Sequence, residues 1–323
     1  KALTSTGAAT GDELVPTDLS GELERRLYLE STLAQAHLAN EIQMPTNPYE
    51  LPISTTRPTF FLESTENTAA TKSTPGTGKL TLTAAKGMAQ VDFSYEVEED
   101  AIIPVLGEIE RLLGEAGAAD FERALLSGDT TATHQDTDTE AIAKDFARSW
   151  NGYRKLALAV AALKVDISSG GISRANLVTL KKTMGKYGSA IKSLAWIVGP
   201  LGENDMLNLT DVLTVDKRGL AATTITGVLS SFLGIPIIMS EQNREDLNAS
   251  GVDDGITDTK GSIILARLDQ FRTGTRRGFV VEVDKNIKTQ TREIVASYRK
   301  AFAPLETPSA TVPSVVIGFN YTA

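Results

Sequence analysis

An α+β fold that carries an extended β-hairpin and an extended amino-terminal arm is what this sequence predicts, on three patterns. Ile102, Val105, Leu106, Ile109, Leu112 and Leu113, continued by Phe121, Leu125 and Leu126, repeat at the spacing of one helix face. Residues 90–97 alternate strictly, and 194–198 (LAWIV) and 235–239 (IPIIM) are short apolar runs, which reads as strands. Residues 1–12 and most of 41–87 hold too few apolar side chains to bury a core of their own.

Taken in order, residues 1–12 are rich in Ala, Thr, Gly and Ser and read as an arm, and Pro16, Thr17 and Asp18 signal a helix start. Leu19, Leu23, Leu27 and Leu33 then predict an amphipathic helix over 17–39. Prolines punctuate 41–87, with strands expected at 59–63 and at 79–83, where KLTLT alternates. Together these make a long hairpin with a polar tip, and a hairpin with so little core must lie on something else. In 90–97, Val91, Phe93, Tyr95 and Val97 face one way. Glu98, Glu99 and Asp100 suit the positive end of the following helix, which closes at Gly128. Beyond a polar loop, helices are expected over 140–163, 173–187 and 201–209. A polar loop covers 243–259, a strand 262–266, and 278–283, 288–301 and 313–321 form a closing set of strands.

Composition narrows the function. The 323 residues are 41% hydrophobic and 23% charged, enough for a sizeable core. Without cysteine there is no disulfide, thiolate metal site or cysteine nucleophile. A net charge of −9 argues against gripping nucleic acid over the whole surface. The longest apolar run, LALAVAAL at 156–163, is far short of the ~20 residues of a membrane span, so no membrane partner is expected.

The motifs are weak. PGTGK at 75–79 hints at a phosphate loop, but Ser73 stands where the motif needs glycine and Leu80 where it needs Ser or Thr. His37 and His134 are the only histidines and lie far apart, so a histidine zinc site or serine triad has little support, and His134 reads as a solvated loop residue. Asp136 to Asp138 and Asp253 to Asp258 read as solvated loops rather than cation sites. Lys217, Arg218, Arg276 and Arg277 are local basic spots, suited to surface contacts or to weak contact with phosphate. No catalytic, cofactor or metal residues are assigned, and no cofactor is expected.

Four stretches, in order, give the chain a resemblance to the major capsid proteins of tailed bacteriophages. They are the amino end ALTSTGAATGDELVPTDLS; GKLTLTAAKGMAQVDFSYEVEEDAIIPVLGEIERLLGEAGAADFERALLSGD, with Ser94 and Glu96; SLAWIVGP with TGVLSSFLGIPIIMSE; and GSIILARLDQF with REIVASYRKAFAPLETPSATVPSVVIGF. The resemblance implies the tailed-phage major capsid fold. It would place an arm and helix at 1–45 and an extended loop at 46–95. A peripheral domain with a long spine helix would take 96–169 and 270–323, and an axial domain 170–269. It implies a shell subunit assembling as hexamers and pentamers around double-stranded DNA. The expected partners are copies of itself, portal, scaffolding or protease proteins, a decoration protein, and weak non-specific contact with packaged DNA. Such a protein is assembled in the host bacterial cytoplasm and resides in the virion. The non-Met start, Lys1, fits a longer precursor cut by a phage protease just before it.

An encapsulin-type nanocompartment shell is the alternative, disfavoured by the long arm; an enzyme of unknown type is the third reading, opposed by the lack of any recognisable catalytic loop. The resemblance also raises covalent locking, in which a loop lysine joins a neighbour's asparagine beside a catalytic glutamate. Lys72, Lys79 and Lys86 are the candidate inter-subunit loop contacts, while Asn286 and Asn320 are the only late asparagines and neither looks like the acceptor. A non-covalent shell is therefore expected.

Overall fold

The computed structural model describes residues 32–38, 40–63, 66–67, 69–100, 105–168, 170–213, 229–257 and 259–322. The predicted arm, most of the helix expected over 17–39, and Lys217 and Arg218 lie outside them. From the amino end, α1 (Thr32–Leu38) precedes β1 (Ile42–Gln43), β2 (Tyr49–Thr56) and β3 (Gly76–Leu82). Next, β4 (Ala85–Ser94) leads through α2 (Tyr95–Asp100) to α3 (Val105–Ser127). Then come α4 (Thr137–Ala141), α5 (Tyr153–Leu158), β5 (Lys164–Asp166), α6 (Arg174–Thr183) and β6 (Leu194–Val198). They are followed by α7 (Pro200–Leu207), α8 (Thr210–Leu213), β7 (Ser231–Phe232) and β8 (Ile235–Met239). The chain closes with β9 (Lys260–Arg267), β10 (Phe271–Asn286), β11 (Thr291–Pro304) and β12 (Val315–Thr322).

Three sheets result, ordered β1-β10-β11-β4, β5-β12-β9-β6-β8-β7 and β2-β3. The predicted closing strands thus do not form one set: β10 and β11 pair with each other, while β12 pairs with β9 and β5 in the second sheet. Alternation alone gives a strand its faces but not its neighbour, which explains the error. β6 lies inside the six-stranded sheet with all five residues buried. Leu194, Trp196 and Val198 face one core with Leu177, Leu180 and Met206, and Ile197 faces the other with Leu156 and Ile264. Period-two alternation between two apolar faces is why LAWIV carries no polar residue.

α3 links the sheets. Over its 23 residues, about 35 Å of helix, its first half lays Val105, Leu106, Ile109 and Leu113 on Phe93, Ile294 and Ala296. Its second half puts Phe121, Ala124, Leu125 and Leu126 into the core beneath the six-stranded sheet. Leu112, predicted on the stripe, is exposed. The strand expected over 90–97 stops at Ser94, whose hydroxyl accepts the Val97 N–H at 3.3 Å and starts α2, so Tyr95 and Val97 are helical.

Two further expectations are corrected. The hairpin's outer strand is β2, not 59–63. Pro52 sits within it opposite Lys79, which the pair tolerates because β2 has only one neighbour. The helix expected over 140–163 is broken into α4, a 3-10 turn (Phe146–Ser149), α5 and a second 3-10 turn (Ala161–Leu163). The chain there crosses the carboxyl end of α3. The Trp150 indole N–H donates to the Ala124 carbonyl at 3.0 Å, Gly152 N to Gly128 O at 2.8 Å, and Asp129 N to Ala147 O at 2.9 Å. These contacts satisfy carbonyls that a helix end leaves open.

A Cβ built on Gly152 would lie 2.7 Å from both Gly128 N and Leu125 O, all rigid backbone. Gly152→Ala is expected to lower stability by about 1–3 kcal/mol. Gly114→Ala, whose Cβ meets nothing within 4 Å, should raise it by about 0.5–1 kcal/mol. Thermal unfolding of the two unassembled variants checks the opposite signs.

Candidate assembly surfaces

The hairpin is less coreless than its sequence suggests. At its base, Leu80 and Leu82 are buried with Met44, Ala84 and Ala301, and Tyr49, Leu51 and Ile53 pack against them. The apolar side of KLTLT therefore belongs to the chain's own core. Beyond Thr56 the backbone leaves the ladder, and the described residues between β2 and β3 hold no strand. Here Phe60 is 98% and Leu62 93% exposed, with Phe61 half-exposed between them. Such side chains each forgo on the order of 1.5–3 kcal/mol of burial unless something covers them. Of the three candidate lysines, Lys72 is exposed in this connection and Lys86 is exposed on β4 opposite Arg299. Lys79 is held by Glu50 at 2.7 Å within the hairpin.

A second exposed turn joins β10 to β11, with the Tyr95 N–H of α2 donating to the Gln290 carbonyl at 3.1 Å. Ile287 is 83% exposed there, and beside it Asn286 Nδ2 donates to Glu293 Oε1 at 3.1 Å. Seven residues separate this amide from its carboxylate, so the juxtaposition was invisible until strand pairing folded the turn; the Asn-Ile-Lys-Thr-Gln run before a strand was the only signal. Asn320 donates to Asp166 Oδ1 at 2.8 Å instead. The structure thus does not bring the three lysines to either asparagine of the same chain.

α1 is seated where the sheets meet α3. Leu33 is fully buried, and the carboxylate of Glu122 on α3 accepts the Ala34 N–H at 3.0 Å and the Ser240 hydroxyl at the end of β8. Burial pushes the Glu122 carboxyl above its ordinary range, against the pull of Ser240, Ala34 and Leu33. His37 is buried too. It shares a 2.7 Å hydrogen bond with Tyr153 Oη, stacks on the Tyr153 ring and meets Phe302 edge-on. Burial lowers its pKa to about 4.

The acidic loops are solvated only in part: residues 255–257 are exposed, while Asp136 and Asp253 are buried. Asp136 and Arg154 pair with both side chains 1% exposed, and Asp136 Oδ1 also accepts Asp253 N at 3.1 Å. Arg244 reaches Asp138, Asp246 and Asp253, and Lys155 bonds Asp129 at 2.7 Å. Basic side chains, rather than a cation, compensate these carboxylates, and the two loops are clamped together through them. His134, read as solvated, is partly buried, with its backbone N–H on Glu140. Among the described residues no cluster of three metal-ligating groups occurs, and no helix is long and apolar enough to cross a membrane. Arg276 donates to the Met44 carbonyl at 2.9 Å and Arg277 pairs with Glu282, so both are engaged within the chain.

Comparison with known proteins gives a consistent set of relatives. A family model, the phage capsid family, matches residues 11–314. The major capsid protein of Escherichia phage T5 is 26% identical over 206 residues, covering 59% of this chain and 42% of that protein. The chain therefore matches less than half the length of that curated relative. Among solved structures, a chain of Mycobacterium phage Bobi superimposes with a TM-score of 0.68 at 16% identity, covering 98% of each chain. The capsid of an empty GTA particle superimposes at 0.70 and 14% identity, covering 99% of each.

The α1 seat generates a pH dependence. A folded-state pKa of about 4 against an ordinary 6.5 means the native chain binds fewer protons at His37 than the unfolded chain, so stability falls as pH drops through that window. The contribution lost between pH 7.5 and pH 4 is on the order of 3 kcal/mol. Denaturant unfolding of unassembled wild type should show this loss, and His37→Gln should remove that share of the pH dependence.

Proposed function

The chain belongs to the phage capsid family, and on that premise we propose that it is the major shell subunit of a tailed-phage head, assembling as hexamers and pentamers around double-stranded DNA. The observation that carries this reading is the pair of exposed connections after β2 and after β10, whose Phe60, Leu62 and Ile287 find no cover among the described residues. A neighbouring copy is the natural cover, since closed homo-oligomers bury the same patch on every subunit. In this reading β1, β10, β11, β4 and the first half of α3 form the peripheral domain. The six-stranded sheet with α6 to α8 forms the axial one, which moves β5 and β12 out of the peripheral segments 96–169 and 270–323 expected from the sequence, and β2 and β3 with their connection form the extended loop. Portal, scaffolding, protease and decoration proteins are the further partners proposed, with assembly in the host cytoplasm and residence in the virion.

The shell is proposed to be held by buried area without covalent links. The Asn286–Glu293 pair favours one second reading. A lysine of a neighbour's loop, Lys72 first, would attack Asn286 Cγ with Glu293 taking its proton, forming an isopeptide and releasing ammonia.

Full-length chain should form megadalton particles by light scattering and electron microscopy; a 34.5 kDa monomer under every condition overturns the shell reading. Phe60→Ser with Leu62→Ser should leave the unassembled fold and its Tm unchanged, because both are exposed, but reduce particle yield at least about tenfold. Boiling particles in detergent decides between the two modes of locking. Subunit-sized protein alone supports the non-covalent shell, and a ladder of multimers abolished by Asn286→Asp and Lys72→Arg supports the isopeptide.

A further inference from the structure

The acidic charge of this chain is unevenly placed. Between positions 164 and 192 stand Lys164, Arg174, Lys181, Lys182, Lys186 and Lys192 against a single acid, Asp166, in a chain of net charge −9. The fold gathers these residues around α6. Leu177 and Leu180 form its buried face and, with Met184, pack toward β12 and β5. On the opposite side Arg174, Val178, Lys182 and Lys186 recur at every fourth position through α6 and the 3-10 turn after it (Gly185–Ser189), and all four are exposed. That spacing makes one ridge. Lys181 lies beside it, half-buried, and Lys164 stands on the neighbouring edge strand β5.

The fold itself does not employ most of this charge. Arg174 reaches Asp211 at 3.3 Å, but among the described residues Lys164, Lys181, Lys182, Lys186 and Lys192 make no ion pair. Like charges four residues apart on a helix repel one another. Tyr187 adds a partly exposed ring, with Lys186 Nζ and Arg267 Cζ each 5.5 Å from its centroid.

We infer that the outer ridge of α6 is a contact surface for duplex nucleic acid, made through the phosphate backbone. This rests on the reading of the chain as a shell around DNA and assigns that contact to residues other than Arg276 and Arg277. Lys182 and Lys186, one turn apart, stand about 6 Å from each other along the axis, close to every second phosphate of a strand that rises ~3.4 Å per step. Lysine is a flexible point charge without the planar fork that reads bases, which suits contact without sequence preference. Protein–protein interface cores are depleted in lysine and built on apolar anchors; here Val178 is the only large apolar side chain on the ridge. The −9 balance of the whole chain makes the contact local.

The test uses the unassembled full-length chain and a fluorescent 30-bp duplex of mixed sequence, with anisotropy read across a salt series. Wild type should bind with an affinity that falls steeply with salt. Lys181→Gln, Lys182→Gln and Lys186→Gln together should weaken binding at least about tenfold in low salt and reduce the slope of log K against log salt by roughly 2–3. A control with the same charge change elsewhere, Lys144→Gln, Lys285→Gln and Lys288→Gln, should leave both unchanged. Circular dichroism of each variant confirms the fold. Failure of wild type to bind, an unaffected triple variant, or an equal loss in the control overturns the inference. A triple variant that binds DNA normally but assembles poorly assigns the ridge to an acidic face of a second copy and overturns it too. Particle formation by wild type, measured separately, tests the shell reading independently of the DNA result.

Discussion

The buried carboxylate of Glu122 is the interaction on which the arrangement of the chain turns. Among the described residues it forms no ion pair; its stabilising partners are the Ser240 hydroxyl and the backbone of Ala34 and Leu33. A carboxylate in such a place is costly unless its lone pairs are satisfied. Donors at the start of α1 and at the end of β8 satisfy them at once, so the same atoms tie the amino-terminal helix to α3 and to the six-stranded sheet. A helix of seven residues cannot hold its own hydrogen bonds in water. α1 exists because Leu33, Ala34 and His37 are buried against this junction, with Thr273 Oγ1 donating to the His37 carbonyl at 3.3 Å.

From that junction the structure divides its hydrophobic material in two. Most of it fills the cores on either side of the six-stranded sheet and under β4 and β11. Of the exposed remainder, Phe60, Leu62 and Ile287 stand on the two connections after β2 and after β10, uncovered among the described residues. The clamps at their bases explain how exposed apolar residues can be carried on ordered backbone. Leu80 and Leu82 root one connection, and the antiparallel ladder from Phe271↔Pro304 to Asn286↔Thr291 carries the other. A connection rooted in this way loses less freedom when a neighbour covers it, which strengthens association without more contact area.

The long α3, the buried β6, the existence of β8, of which only Ile235 is buried, and the stop at Gly128 were legible in the sequence, because each rests on local periodicity or on a glycine at a helix end. What was not legible depends on pairing across long separations. Residues 140–163 have helical composition, yet Gly152 must approach the Gly128 backbone, and that demand is set by packing more than 20 residues away. Pro52 argued against a strand until β2 proved to have a single neighbour. Asp136 and Asp253 looked solvated because Arg154 and Arg244 are remote in sequence, and Asn286 looked isolated because Glu293 faces it only after the turn closes. Of the candidate lysines, the sequence located all three on or beside the hairpin, but it could not show that Glu50 already holds Lys79.

Charge follows the same logic of remote compensation. Glu122 apart, several acids inside the fold are matched by bases: Arg154 with Asp136, Lys155 with Asp129, Lys300 with Glu41 at 3.2 Å. The ridge of α6 departs from this rule, since its lysines face outward with no carboxylate to meet them. An acidic subunit bearing one basic ridge attracts a polyanion only within about a Debye length, ~8–10 Å at ordinary ionic strength, and repels it from the rest of its surface. Contact of that kind is short in range and weak per subunit, and repetition over many copies makes it appreciable. A duplex held so could shift along the surface without leaving it, as the proposed shell around DNA would require.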